Sequence, residues 1–432
     1  MKYFEKYIGL LLMCTLLIST SYFTFRYENI LLIAQYTALF VLYLFLAYQK
    51  DRFSLKEIIA FGILFRLLLL LLIPNLSDDV YRFLWDGKLW WEGVDAYAYL
   101  PRGIVQDNIL SSELFAQLNS PNYYSIYPPL NQLIFSVAGL FENISMGIIV
   151  IRIFIILAEI GTLFLLPKVL RQYGKDSKLL LIYAFNPLVI LELSGNLHFE
   201  AFVVFFLIWA IFEFEKQNHN KSAVSLGLAI SFKLLPLILL AGFFKKLDMK
   251  SYLKFIVVAI AIAIMSFLPF LFSDALQGII KSSSLYFQNF EFNASLYYLI
   301  REIGFAVKGY NIIATSGPWM GILSFAAMII FNLLASPKIK LSERMLWTYI
   351  IYFLLATTVH PWYVLPILVL GIISGYRFPI LWSFTIFLTY WGYSVSGYEE
   401  NLGIVAFEYI SLLVFIVIEL PGKNKNRKLY YA

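Results

Sequence analysis

The stretch Leu67-Leu-Leu-Leu-Leu-Leu72-Ile73-Pro74-Asn75-Leu76-Ser77-Asp78-Asp79-Val80-Tyr81-Arg82-Phe83-Leu84-Trp85-Asp86-Gly87 passes from one solvent to another. Before it, Glu57 to Pro74 reads as an apolar helix, which Pro74 stops because it has no backbone donor. After it, as far as Leu130, acids, bases and aromatics replace the leucines. A long loop between membrane spans is usually functional or disordered. The Trp and Tyr content of this one argues against disorder.

The whole chain supports a membrane reading. Of its 432 residues 61% are hydrophobic and only 14% charged, against about 25% charged in soluble domains. Mean hydropathy is +0.77. The 40 Phe, 30 Tyr and 9 Trp suit interfacial belts and packed spans. A single cysteine, Cys14, excludes an internal disulfide or a cysteine metal cluster. The net charge of +6 sits in short connectors, so it reads as topology rather than nucleic-acid binding. The apolar N-terminus lacks a small-residue cleavage site and is followed by more spans, so it is expected to be the first helix.

Hydropathy places spans near 8–25, 30–48, 57–74, 148–169, 179–194, 199–215, 253–272, 312–335, 344–359, 362–375, 378–394 and 402–419, with short helices at 222–232 and 234–244. The expected fold is an all-α polytopic transmembrane bundle of about 12–14 membrane segments. Its large first outer loop carries short amphipathic helices, one of them at Pro128–Phe141. Lys50, Arg52, Lys168 to Lys178, Lys216, Lys221, Lys245 to Lys250, Lys338, Lys340 and Lys423 to Lys428 then share one side. The positive-inside rule makes that side cytoplasmic. The segments 75–147, Gly195 to His198, Lys233, 273–311, His360 and Tyr398 to Asn401 fall outside. No GxxxxGK[ST] pattern is present, which argues against an ATP-driven pump.

Several polar clusters carry two readings each. Asp78-Asp79 suits a general base or the cap of a helix running through Tyr81 to Trp91. Arg82 lies one turn after Asp78 and suits pairing with that acid or binding a phosphate. Asp86 continues the face, and Trp90-Trp91 reads as an interfacial anchor. Asn196, His198 and Glu200 follow Asn186-Pro187 and Glu192 in an otherwise apolar region, where ionisable residues face interior cavities. His198 and Glu200 are too few for a metal site on their own. Lys233 sits between two short helices, either snorkelling as an anchor or holding a lipid phosphate. His360-Pro361-Trp362-Tyr363 has the same construction. Asn143-Ile-Ser145 and Asn293-Ala-Ser295 match the glycosylation acceptor pattern, a weak three-residue signal.

Taken together, these residues resemble a family. Asp78-Asp79-Val-Tyr-Arg82, Asp86-Gly87, Glu92-Gly-Val-Asp-Ala-Tyr97, Tyr127-Pro-Pro-Leu130, Asn186-Pro187, Asn196-Leu-His-Phe-Glu200, Ser231-Phe-Lys-Leu-Leu-Pro236 and His360-Pro-Trp-Tyr363 follow one another in its order. The chain is similar to membrane glycosyltransferases of the GT-C architecture, specifically polyprenyl-phosphate-mannose-dependent mannosyltransferases and their bacterial relatives. The resemblance covers roughly 57–366 as a catalytic membrane domain, with 75–130 its catalytic loop. Segments 1–56 (a transmembrane hairpin) and 367–432 (helices and a basic tail) look like additions.

The resemblance implies transfer of a hexose, mannose above all, from a polyprenyl-phosphate donor to a lipid- or glycan-linked acceptor among membrane lipids. The expected location is a bacterial inner membrane, with the site on its periplasmic face. It implies Asp79 as base with Asp78 as the alternative, and Lys233, Arg82, His198 and His360 around the donor phosphate. Asp86, Tyr127, Glu200 and Asn196 are expected near the acceptor or sugar. No cofactor and no nucleic acid are implied, and metal dependence is not legible. The rival reading is a flippase, transporter or polymerase of lipid-linked glycans.

Overall fold

The computed structural model describes residues 2–106, 110, 112–270, 277, 278, 281 and 290–430. Helix ends follow local chemistry. Ser54 accepts from the Glu57 backbone N–H while Glu57 reaches back to Ser54, a capping box that starts the Leu55–Leu67 helix. Asn143 caps the long Ile144–Gln172 helix and Asp248 the Met249–Phe267 helix. Pro128 precedes the Pro129–Gly139 helix, and Gly309 and Gly375 close two others in left-handed conformations. The described strands are a two-residue antiparallel pair, Tyr393–Ser394 with Gly397–Tyr398.

The all-α bundle is as expected. Among the described residues, five helices are long and apolar enough to cross a membrane: Asn29–Tyr48, Ile144–Gln172, Met249–Phe270, Ile313–Leu334 and Leu402–Leu420. The pair Ser177–Ala184 and Pro187–Gly195, bent by 58°, makes a sixth if taken as one span. Several other apolar runs form shorter or broken helices, such as His219–Phe232 and the 3₁₀ turns of Leu235–Lys246. Hydropathy counts apolar residues and is blind to breaks at Pro187, Pro236 or Pro361. Irregular backbone at such depth is tolerated only where protein covers it.

That cover is complete at the centre. Every residue from Tyr183 to Ala201 is buried, although the segment holds Asn186, Glu192, Ser194, Asn196, His198 and Glu200. Arg152 supports it from the Ile144–Gln172 helix. Its guanidinium donates to the carbonyls of Ser194 (2.7 Å), Gly195 (3.2 Å) and Leu70 (2.9 Å). Arg66 pairs with Glu159 at 2.8 Å with neither side chain exposed, and Tyr183 donates to the same carboxylate. Breaking such a pair costs about 3–5 kcal/mol.

The two ends differ. At one, Lys50 meets Asp176 (2.7 Å), Arg52 meets Glu5 (2.9 Å) and Lys246 donates to the Pro337 carbonyl (2.7 Å). At the other, Asn29 donates to the Trp391 carbonyl (2.8 Å) and Asn75 to that of Ser21 (3.0 Å). The polar motifs gather at this second end.

Candidate active site

The Asp79–Trp91 helix opens the site. Ser77 Oγ accepts from the Asp79 backbone N–H at 3.3 Å, while Asp78, at the N-cap position, makes no side-chain capping bond. Asp78 instead forms an ion pair with Arg26, from the link between the first two helices. Asp79 accepts from Asn119 Nδ2 at 2.7 Å. Both carboxylates remain half-buried at the rim.

One turn further in, the helix serves another purpose. Arg82 binds Asp86 (2.7 Å), not Asp78, and donates to the carbonyls of Ser120 (3.1 Å) and Tyr123 (2.8 Å). Asp86 also accepts from Ser125 Oγ (2.5 Å) and Gln132 Nε2 (3.0 Å). It is 1% exposed and Arg82 2%. These contacts tie the loop to the helix. A Cβ on Gly87 would lie 1.9 Å from the Phe135 carbonyl oxygen, and one on Gly139 would lie 2.3 Å from Gly87. Asp86-Gly87 is therefore where this helix and Pro129–Gly139 cross backbone to backbone. The Tyr127 ring packs edge-on against Phe83 (4.8 Å) and Phe135 (5.5 Å), and its carbonyl accepts from Tyr97. Tyr127 thus forms part of the wall of the loop core.

The buried central segment supplies the opposite side. Ile190–Gly195 is a π-helical turn, a feature frequent at functional sites. Leu197 follows with φ +66°, a conformation rare for a branched side chain. Glu192 accepts from Asn196 Nδ2 (3.0 Å) and Tyr390 Oη (3.0 Å) and lies 3.3 Å from His198 Nε2. The His198 ring stacks on Trp362 at 3.5 Å, and His360 stacks on the same Trp362 at 4.5 Å.

Lys233 enters from the end of His219–Phe232. It pairs with Glu200, lies 3.8 Å from the centre of the Tyr363 ring and is 26% exposed. Burial lowers its pKa, while Glu200 and then Asp79 partly restore it, so Asp79 acts on Lys233 across the site. His360 is held well below the usual imidazole range by burial and then by Lys233 and His198. Its ring packs on Phe292 (4.6 Å). A strap at Phe290–Asn293 is stitched to the 357–359 loop by Phe292 N–H to Thr357 O (3.0 Å) and Val359 N–H to Phe292 O (2.8 Å).

Of the predicted residues, Asp79, Lys233, Glu200, Asn196, His198 and His360 thus belong to one end of the bundle, linked through Glu192, Trp362 and Tyr363. Sequence reasoning missed Arg26, Asn119, Tyr390 and the organising role of Glu192. Glu192 carried a signal, since it stands four residues before Asn196 in an apolar run. Asn293 is fully buried, donates to Glu408 (3.1 Å) and is no glycan acceptor in this fold. Asn143 is an exposed cap. Among the described residues no three His, Cys, Asp or Glu side chains converge as metal ligands. A cavity of about 150 Å³, lined by Gln172, Tyr173, Glu215, Lys246 and Lys340, lies at the basic end and shares none of these residues.

Residues 13–246, more than half of the chain, match the family described as alpha-(1->6)-mannopyranosyltransferase, N-terminal domain. The match takes in much of the first two helices, including Arg26. No curated protein matches the chain. This family match over more than half of the chain, on a helical bundle with apolar spans, makes the chain a glycosyltransferase belonging to the alpha-(1->6)-mannopyranosyltransferase family.

Proposed function

We propose that the protein transfers mannose from a polyprenyl-phosphate donor to a hydroxyl of a lipid- or glycan-linked acceptor, at the outer face of the membrane and with inversion. The observation that carries this reading is Asp79 facing the electrostatic reach of Lys233 at the non-basic end of the bundle. Asp79 takes the acceptor hydroxyl proton as the oxygen attacks C1 of the sugar. The C1–O bond to phosphate breaks, and the departing polyprenyl phosphate takes the electron pair. Lys233 meets that growing charge. His360, neutral because its pKa is depressed, offers a hydrogen bond rather than a charge. One carboxylate base without a second nucleophile favours attack from the opposite face, so a β-linked donor yields an α-linked product. The family description names a 1->6 linkage, which on this reading makes the acceptor group a primary hydroxyl.

Two observations support the reading over a transporter. A transporter places its coupling charges at the bilayer midplane, but here Arg66 and Glu159 neutralise each other and Arg152 is occupied by backbone carbonyls. The separation of the basic end from the site end supports an outer location. The test is a membrane assay with radiolabelled polyprenyl-phosphate-mannose. Wild type should build labelled product, and Asp79→Asn should lower turnover by roughly 10²–10⁴-fold, the usual worth of a positioned base. Label that crosses the bilayer and never enters product would overturn the enzyme reading. Full activity in Asp79→Asn at matched protein levels would overturn the base.

A further inference from the structure

Two adjacent carboxylates at the head of one helix compete for any proton between them. A catalytic base needs that competition settled. We propose that Arg26 settles it: by pairing with Asp78, this arginine of the N-terminal helical link is a positioning residue that leaves Asp79 as the carboxylate free to take a proton. The proposal rests on Asp79 being the base.

The geometry is asymmetric in the required sense. Asp78 has a full cationic partner in Arg26, while Asp79 has the neutral amide of Asn119. A guanidinium is a planar fork that matches a carboxylate, so Asp78 is occupied by a partner of its own. The link that carries Arg26 is fixed on several sides. Thr24 Oγ1 donates to Gln35 (2.8 Å), Phe25 N–H to Glu28 (2.8 Å), and the Phe25 and Tyr27 rings stack at 5.4 Å. Asn75, three residues before the doublet, donates to the Ser21 carbonyl at the end of the first helix (3.0 Å), a second tie between the link and the doublet.

The other groups facing the doublet leave Arg26 as the near cation. Lys233 acts on Asp79 from across the site but is paired with Glu200. Tyr81, on the same helix, feels Asp78. The Arg26 guanidinium lies 5.2 Å from the centre of the Tyr393 ring, with Glu192 also acting on that ring. Burial pushes the Tyr393 hydroxyl up to about 12, so it stays neutral.

The experiment is the pH profile of kcat/KM for mannosyl transfer by the full chain, whose acid limb reports the free enzyme's base. In Arg26→Gln the unpaired Asp78 should raise the acid limb by about one pH unit. Arg26→Lys should hold it near wild type, and adding Asp78→Asn to Arg26→Gln should bring it back down. An acid limb unmoved in Arg26→Gln, with Asp79→Asn inactive, overturns this inference and leaves the base standing. Activity surviving in Asp79→Asn overturns the base itself. If Arg26→Gln does not accumulate, Arg26→Gln/Asp78→Asn removes both charges together and should accumulate with the wild-type limb. A double variant that accumulates no better assigns Arg26 to the fold alone and overturns the proposal.

Discussion

The first and second turns of the Asp79–Trp91 helix use the same residue types for opposite ends. In the second turn Arg82 and Asp86 are almost fully buried, and Asp86 adds Ser125 and Gln132 to its arginine. In the first, Asp79 is half-buried with a single amide partner. An acid with three donors on its carboxylate has little room for a substrate proton, and one with a single donor keeps room. What separates structure from chemistry along this helix is unspent hydrogen-bonding capacity, not charge.

The contrast breaks most readily at its buried member. Asp86→Ala strands Arg82 in the core and should cost about 3–5 kcal/mol, a large share of a typical stability of about 5–15 kcal/mol. The expected result is poor accumulation and a lower melting temperature in detergent. A variant that accumulates normally yet binds acceptor weakly would return Asp86 to the site. A smaller effect is expected at the opposite wall. Lys233→Met should raise KM for the donor about tenfold to a hundredfold, the worth of one charged hydrogen bond, with Lys233→Arg recovering part of it. Unchanged donor KM in Lys233→Met would make this lysine an anchor.

The smallest effect is a shift in pH. Because the Lys233 pKa is lowered, its positive charge fades below the pH at which an ordinary lysine loses it. Donor binding should therefore weaken on the alkaline side of neutrality in wild type and persist to higher pH in Lys233→Arg. Folding stability should move the other way on this group's account. Over the interval between the two pKa values the unfolded chain holds more protons, so stability rises with pH. Loss of donor binding in parallel with unfolding would remove Lys233 from the explanation.

Much of this was legible in sequence. Hydropathy placed the helices, and the spacing of Asp79, His198, Lys233 and His360 between spans put them at one end. Partner choice was not legible. Arg82 lies one turn from Asp78 and one turn from Asp86, and only Ser125, Gln132 and the Ser120 and Tyr123 carbonyls decide between them. Arg26 stands 52 residues from Asp78, with no local pattern joining the two. The close crossing at Asp86-Gly87 was not legible either, because a glycine's value at a helix crossing depends on a neighbour that periodicity does not reveal. The division of the chain at 56 and 366 follows the span of the resembling motifs, yet the first helices are sewn into the bundle, with Tyr36 donating to the Ser383 carbonyl (2.6 Å) and Tyr43 to that of Ile182 (3.0 Å).

The bond from Asn29 to the Trp391 carbonyl spans 362 residues of chain. At roughly 5–20 residues per second of synthesis, the ribosome needs about 20–70 s to deliver the acceptor after the donor has emerged. During that time the hairpin bearing Arg26, and then the acid doublet, stand in the membrane without their closing partner. Assembly of this site is thus a waiting problem, and a chain interrupted before residue 391 would carry its acids, lysine and histidines without the carbonyl that holds Asn29.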